Sequence, residues 1–468
     1  MGPVPELADR ARSCADRLRQ AESVLLASHI DADGLTSAAI AASALERAKI
    51  PTNVVFKNQL DDDEIASIAL REEQTVLFTD FGSGQLDTIV EHEARGDFEP
   101  VIVDHHQPAD AETRYHLNPL LEGIDGASEL SGAGACYLLA RAMEDGTDNR
   151  DLAGLAVVGA VGDMQASGGE LIGANRAIVE DGVAAGVLEE RTDLALYGIQ
   201  TRPLPKLLEY ADRPRIPGVT GDQAGAIEFL ESVGIQLKAD DEWRRWVDLS
   251  MDERQSVVSA LLKRGVERGV SADAIDSLVG TTYSLTEEEP GTELRDASEF
   301  STLLNATARY ERADVGLAVC LGDRGQALAR ARRLLANHRR NLSDGLEWVR
   351  EQGVTLESNI QWFDAGDAIR ETIVGIVAGM AFGTPGVQRD RPIVAFAEKS
   401  DTERKVSARG TPGLVRQGLD LSDAIGEASR AVGGDGGGHD VAAGATIPTD
   451  ERQAFLDRLD AVIAEQIA

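Results

Sequence analysis

The sequence predicts an α/β fold whose mostly parallel sheet carries its chemistry at the strand ends. Three observations support this. Short apolar runs alternate with helical stretches over residues 1 to about 180, the pattern of strands covered by helices. Four apolar runs end in a carboxylate or imidazole side chain. Four of the chain's seven histidines, His29, His105, His106 and His116, lie within or near those ends.

In chain order, the run 24–27 leads into Ser28-His29-Ile30-Asp31-Ala32-Asp33-Gly34. In extended backbone, alternate residues point the same way, so His29, Asp31 and Asp33 can converge on one point. Residues 35–48 read as a helix. The run 75–79 ends in Asp80 and the turn Phe81-Gly82-Ser83-Gly84, and the run 101–103 drops Asp104-His105-His106 off its end. A helical stretch over 133–143 comes next, then the apolar run 155–162 ending in Asp163. Aspartate and glycine after a strand are also ordinary turn residues. Turn chemistry does not explain why histidines gather beside these acids. Carboxylates mixed with imidazoles suit a divalent metal such as Mn²⁺, and loops at strand ends are where an α/β sheet places its site.

Taken in order, His29-Ile30-Asp31-Ala32-Asp33-Gly34, Asp80, Asp104-His105-His106 and Gly162-Asp163 resemble the DHH phosphoesterase family, most closely its archaeal RecJ-like, single-strand-specific exonuclease branch. Downstream, Lys405-Val406-Ser407-Ala408-Arg409 and Gly436-Gly437-Gly438-His439 resemble the DHHA1 domain that accompanies this catalytic domain. The resemblance implies a two-metal phosphodiesterase. Asp80 then bridges two ions, with His29 and Asp31 on one and Asp33, His105 and Asp163 on the other. His106 faces the scissile phosphate, and Asp104 is counted with it as catalytic. Bacterial members commonly carry an acid in the place of His29. The implied cofactor is two Mn²⁺ ions, with Mg²⁺ or Co²⁺ as substitutes, and a mixed His/carboxylate shell fits Mn²⁺ better than Mg²⁺. The implied substrate is single-stranded DNA or RNA attacked from an end, in DNA repair or replication. Replication proteins such as GINS or a helicase are possible partners. Two alternatives share the resemblance. One is a phosphodiesterase for short oligonucleotides or cyclic dinucleotides; the other is a Cdc45-like replication scaffold with little or no nuclease activity, which loss of metal ligands would mark.

Composition bounds the setting. With 468 residues, 43% of them hydrophobic, the chain can build two or three domains with proper cores. No run approaches the roughly 18 to 20 apolar residues of a membrane span, and Met1-Gly2-Pro3-Val4-Pro5-Glu6 lacks a charged-then-apolar signal pattern. A cytoplasmic protein without a membrane partner is expected. Cys14, Cys136 and Cys320 are widely spaced and read as small buried hydrophobes. Eighty acids against 46 bases, only seven of them lysine, give a net charge of −34. This is the composition expected of a halophilic archaeon, where carboxylates keep the surface hydrated in concentrated salt. Against that background, residues 324–340 carry six arginines and no acid at helical spacing. They read either as a phosphate-tracking surface or as arginines paired with the chain's own acids. The helix is expected to continue toward Gly353 as one connecting element.

The chain divides into four regions: a DHH catalytic domain over 1–180, a mainly helical insertion over 181–295, a substrate-facing segment and connecting helix over 296–355, and a smaller α/β DHHA1 substrate-binding domain over 356–468. In the insertion, Trp243 and Trp246, three apart on an expected helix, read as core packing, with base stacking as their other use. The acidic, turn-rich stretch 287–293 marks a loop. The segment 300–309 resembles a RecJ-like stretch whose polar residues face substrate, which makes Asn305 and Arg309 contacts. In the last region, 391–397 reads as a strand. The resemblance to the DHHA1 domain implies that Arg409, Gly436, Gly437, Gly438 and His439 bind substrate; bare backbone can turn several N–H groups onto a phosphate, though a glycine-rich turn alone is ordinary.

Overall fold

Five short strands, β1 (Val24–His29), β2 (Thr52–Lys57), β3 (Thr75–Thr79), β4 (Glu99–Val103) and β5 (His116–Leu117), pair in parallel in the order β2-β1-β3-β4-β5. The computed structural model describes residues 2–166, 168–211 and 214–467, in two compact units divided after Arg332. β1, β3 and β4 are buried on both faces, which is why they read as unbroken apolar runs and not as alternating ones.

Helices α1 (Ala8–Leu18), α2 (Ala32–Arg47), α3 (Asp62–Ala69), α4 (Leu86–Arg95) and α5 (Gly132–Ala142) cover this sheet, and α6 (Ala153–Gly162) and α7 (Gly173–Ala184) pack outside them. Leu25, Ala27, Val76, Phe78 and Ile102 turn to one face and pack on Ile65 and Ile68 of α3 and Leu86 and Ile89 of α4. α2 packs against α5 and α6. The strand order reverses between β1 and β3, since β2 lies on the far side of β1. In open parallel sheets such a switch point leaves a crevice at the carboxyl ends of the strands, where ligands bind. His29 closes β1 and Asp80 comes directly after β3, so the two flank it.

The fourth apolar run is a helix, α6, with Asp163 at its C-cap. It touches α2, α5, α7 and the helix Ala297–Ala308, and a helix covered on all sides is apolar all round. Length alone does not separate such a run from a buried strand.

The insertion, expected to be mainly helical, also holds a strand pair that the sequence does not announce. The seven-residue strands Leu188–Leu194 and Val279–Leu285 pair antiparallel along their whole length. The first, Leu-Glu-Glu-Arg-Thr-Asp-Leu, buries only its two leucines, so ladder hydrogen bonds hold it and no apolar alternation announces it. Trp243 and Trp246 do not share a helix: Trp243 lies in a two-residue hairpin strand and Trp246 in a 3-10 turn. Trp246 is buried with Phe229, Leu230, Val257 and Leu261 in the insertion's own core. Trp243 is partly exposed, with the Lys238 ammonium 4.9 Å from its ring.

The 27-residue helix Gln326–Gln352 holds the boundary between the units. In the second unit a six-stranded sheet runs in the order Thr355–Leu356, Gln361–Asp364, Ile393–Glu398, Glu403–Arg409, Ala442–Pro448, Asp435–Gly438, with only its second and third strands parallel. The glycine-dense run is thus an edge strand. A Cβ at Gly436 would fall 2.6 Å from that of Ala445, so the close pairing there excludes any side chain. All three cysteines are buried, and no helix among the described residues is long and apolar enough to cross a membrane.

Candidate metal centre

Strand ends, the start of α2 and the end of α6 bring six ligand-type residues into two adjoining groups, and Asp80, Asp104, His105 and His106 form a third that overlaps both. His29, Asp31 and Asp80 form the first and Asp33, His105 and Asp163 the second, each with ligand atoms within 4.8 Å of one another. His29 Nδ1 lies 3.2 Å from Asp31 Oδ1 and 3.5 Å from Asp80 Oδ2, while His105 Nε2 lies 3.3 Å from Asp80 Oδ1 and 3.8 Å from Asp33 Oδ2. One carboxylate, Asp80, therefore stands between both groups.

Local structure explains each position. Asp31 is the N-cap of α2, its Oδ1 accepting the Gly34 N–H at 3.0 Å, and the Asn305 side-chain oxygen accepts the Ala32 N–H at 3.1 Å. Asp33, in the first turn of α2, accepts the Gly132 and Ala133 N–H groups at 2.7 and 3.0 Å. Those donors open α5, so a helix N-terminus, the positive end of its dipole, steadies the buried carboxylate. A Cβ at Gly132 would fall 2.5 Å from Asp80 Oδ1, so glycine is what lets α5 approach. Asp80 adopts the left-handed conformation at φ +61°, which aspartate tolerates better than most residues but which is found where a site dictates it.

The Asp104 triplet is wired from inside. Asp104 Oδ1 accepts the His105 N–H at 2.8 Å and His106 Nδ1–H at 2.8 Å, and its Oδ2 accepts the Ser83 N–H at 2.9 Å. Buried and fully engaged, Asp104 holds the loop and aims His106. His105 donates Nδ1–H to the Gly126 carbonyl at 2.7 Å, which fixes the tautomer that leaves Nε2 for a metal. Gln165 donates to both Asp163 Oδ2 and the same Gly126 carbonyl, at 2.9 Å each. Gln165, Gly126, Ser83 and the α5 N–H pair carry no signal in the sequence pattern. Their role is a hydrogen bond across a long sequence separation, and only the helical character of 133–143 hints at the last.

Burial disfavours charge throughout the cluster, and neighbours decide the outcome. His29 is held up at about 11 despite burial, by hydrogen bonds and charge from Asp31 and Asp80. His105 is raised too, the charge of the neighbouring Asp80 carboxylate outweighing burial. Asp80 is lowered, His105 and His29 outweighing its desolvation. Desolvation raises Asp33, with Asp80 and Asp163 adding to it, and raises Asp163 to about 6. For His106, the Asp104 hydrogen bond is the leading cause of a rise.

The group fits divalent metal. Asp80 Oδ1 is buried with no hydrogen-bond partner, and His105 Nε2 stands 3.3 Å from it. A buried acceptor without a donor costs about 1–3 kcal/mol unless a cation supplies the missing contact, and the donor set of carboxylates and imidazoles is that of a first-row divalent ion.

The remaining expected contacts fall elsewhere. Arg309 comes directly after the helix Ala297–Ala308, exposed. Arg409 and Gly436 to His439 lie in the second unit, Arg409 on a strand beside the helix Glu371–Ala381 and His439 exposed at the hairpin turn. Of the six arginines at 324–340, Arg324 pairs with Glu288 and Arg332 with Glu293, so these two serve the chain's own acidic loop.

A parallel sheet with this site at its switch point and this order of ligand-type residues is that of a phosphoesterase. Residues 23–160 match the DHH family N-terminal domain, 196–279 the DHH-CID domain and 359–465 the DHHA1 domain. The chain belongs to the DHH family, and its fold is RecJ-like. An uncharacterized protein of Methanocaldococcus jannaschii is 31% identical over 447 residues, covering 94% of this chain and 93% of that one. Among solved structures, the Mn²⁺ complex of RecJ from Thermus thermophilus has a TM-score of 0.61 at 19% identity, covering 99% of this chain. This chain spans 55% of that one. CDC45 from Entamoeba histolytica has a TM-score of 0.68 at 10% identity, covering 98% of this chain and 99% of that one. At such identities the likeness is one of fold.

Proposed function

We propose that this protein is a Mn²⁺-dependent exonuclease that hydrolyses single-stranded DNA or RNA from an end. One observation carries the reading: a buried carboxylate, Asp80, with an unpartnered oxygen, stands between two ligand groups. His29, Asp31 and Asp80 would hold one ion and Asp80, Asp33, His105 and Asp163 the other. Bound there, divalent ions acidify a water and offset the charge that grows on the phosphoryl oxygens during in-line displacement.

The chain's own residues do the rest. Asp104 keeps His106 oriented and raises its proton affinity. His106, half exposed at the mouth of the site, is placed to donate a hydrogen bond to the scissile phosphate and to hand a proton to the leaving oxygen. Arg409 and the Gly436–His439 backbone are proposed to hold the strand, and Asn305 keeps its amide nitrogen for substrate while its oxygen braces α2.

The filled ligand set favours hydrolysis over a scaffold without activity. The test is digestion of end-labelled linear DNA and RNA of several lengths, beside circular single strands, with Mn²⁺ or chelator across a range of KCl. Stepwise metal-dependent shortening of linear strands only is expected. Cleavage of circles, or no metal-dependent product at any salt, overturns the reading.

A further inference from the structure

Beside the metal centre the first unit holds a cavity of about 1030 Å³, its inner wall formed by His29, Asp80, Asp104 and His106. Its volume is at the upper end of the range that encloses small ligands. Asp80, 2% exposed and with one unpartnered oxygen, lines it, so the cavity opens onto the reacting position. Leu60 and Phe81 supply an apolar part, and Asn58, Gln59, Gln85 and Gln107 supply uncharged amides. The outer wall carries Asp61, Asp62 and Asp63, and the segment 58–63 that forms it holds no lysine or arginine. Lys57 is nearby at the end of β2, but it pairs with Glu64.

A subsite for nucleic-acid backbone needs cationic or N–H donors for each phosphate. This cavity has carboxylates instead. Asp61 caps α3 and Asp62 accepts a hydrogen bond from Thr88 at 2.8 Å. Those duties fix the two carboxylates in the wall without neutralising them, and Asp63 is exposed, with no cation paired to it among the described residues. A continuing strand would bring a phosphate here with every nucleotide. The least charged part of the substrate is its end.

We infer that this cavity receives the terminal nucleoside beyond the scissile phosphate and selects ends that carry a free hydroxyl over ends that carry a phosphate. The amides meet the base and the apolar part meets its face, while Asp61, Asp62 and Asp63 repel a terminal phosphate. The inference rests on the phosphodiesterase reading. In the hydrolysis, water's oxygen bonds to phosphorus, the ester P–O bond breaks and the departing oxygen takes a proton; the terminal hydroxyl is not consumed.

The test pairs two measurements on strands that differ only in the terminal group, hydroxyl or monophosphate, made at both the 5′ and the 3′ end. First, anisotropy in chelator gives the affinity of a fluorescent hexanucleotide for the metal-free protein. Second, kcat/KM is measured with Mn²⁺. At the terminus that enters the cavity, a phosphate should meet two or three carboxylates at several ångströms, which at low salt amounts to a preference for the hydroxyl form of about ten-fold, shrinking as salt rises. D62N/D63N should bring the ratio toward one, and Asp63→Asn alone, which leaves the α3 cap and the Thr88 hydrogen bond in place, should move it part of the way. Equal use of both ends by the wild type, or a preference untouched by these variants, overturns the inference. Loss of all metal-dependent cleavage with the binding preference intact would instead refute the enzymatic reading while leaving the cavity's selectivity standing.

Discussion

The metal centre and the arginine helix are both charge clusters, and they behave oppositely. At the centre, six ligand-type side chains come from four chain segments whose ends are fixed by the sheet and by α6. Backbone geometry alone determines that they meet. On the helix Gln326–Gln352, the arginines are arranged by helical spacing, but their partners come from elsewhere: Glu288 and Glu293 lie on the acidic loop 287–293. A buried cluster specifies its own contacts because desolvation penalises every alternative. An exposed charge takes whatever partner the fold brings near.

The sharpest way to break this contrast is at its buried side. Asp80→Ala should reduce turnover below about a tenth of wild type at saturating Mn²⁺, with circular dichroism unchanged, because it removes the shared ligand and not a core side chain. Retained activity would sink the two-group assignment. Gln165→Ala comes next: it frees Asp163 and the carbonyl that orients His105, and residues supporting ligands in this way change metal affinity by about 10- to 100-fold. Mn²⁺ titration followed by calorimetry checks it, and an affinity within about two-fold of wild type would show Gln165 to be inert.

Asp296 tests burial without metal. It caps the helix Ala297–Ala308, accepting the Glu299 N–H at 3.0 Å, and desolvation pushes it up to about 7. Its folded value lies above the unfolded one near 3.8, so its contribution to stability is fully present below about 3.8 and is lost as pH rises toward 7. Asp296→Asn keeps the cap oxygen and removes the charge. At pH 8 the variant should be more stable than wild type by on the order of 2 kcal/mol, and urea unfolding at pH 4 and pH 8 reads the difference. A gap that does not grow with pH would contradict the assignment.

The exposed side should respond least. Arg324→Gln with Arg332→Gln should cost no more than about 1 kcal/mol, less at high salt, since partly exposed pairs contribute little. Arg330, Arg333 and Arg340 form no such ion pair among the described residues. Their joint neutralisation should flatten the salt dependence of strand binding by about 0.7 in slope for each phosphate left without its arginine, and an unchanged slope would assign them to the helix surface.

Much of the catalytic half was legible because its signals are local. A strand buried on both faces is an apolar run, and the residue that ends or follows such a run sits at the carboxyl end of the sheet, so the sequence alone places His29, Asp80 and Asp104 there. The long helix to Gln352 was legible from its periodicity in the same way. The run before Asp163, grouped in the sequence with the strand ends, is a helix; burial on all sides erases the periodicity that separates the two. The strand Leu188–Leu194 was missed because its ladder uses backbone groups that every residue carries.

What the sequence by itself determined is the order of the pieces: which apolar runs end in which ligands, and that acids outnumber bases so far that surface charge says little about partners. Only the tertiary structure decided how those pieces act. The left-handed turn at Asp80, the α5 N–H groups on Asp33, the Gly126 carbonyl that fixes His105 and the pairing of Arg324 and Arg332 with the acidic loop depend on how distant parts of the chain come together. Such contacts have no local signature, because each depends on the approach of two backbones that the intervening core sets.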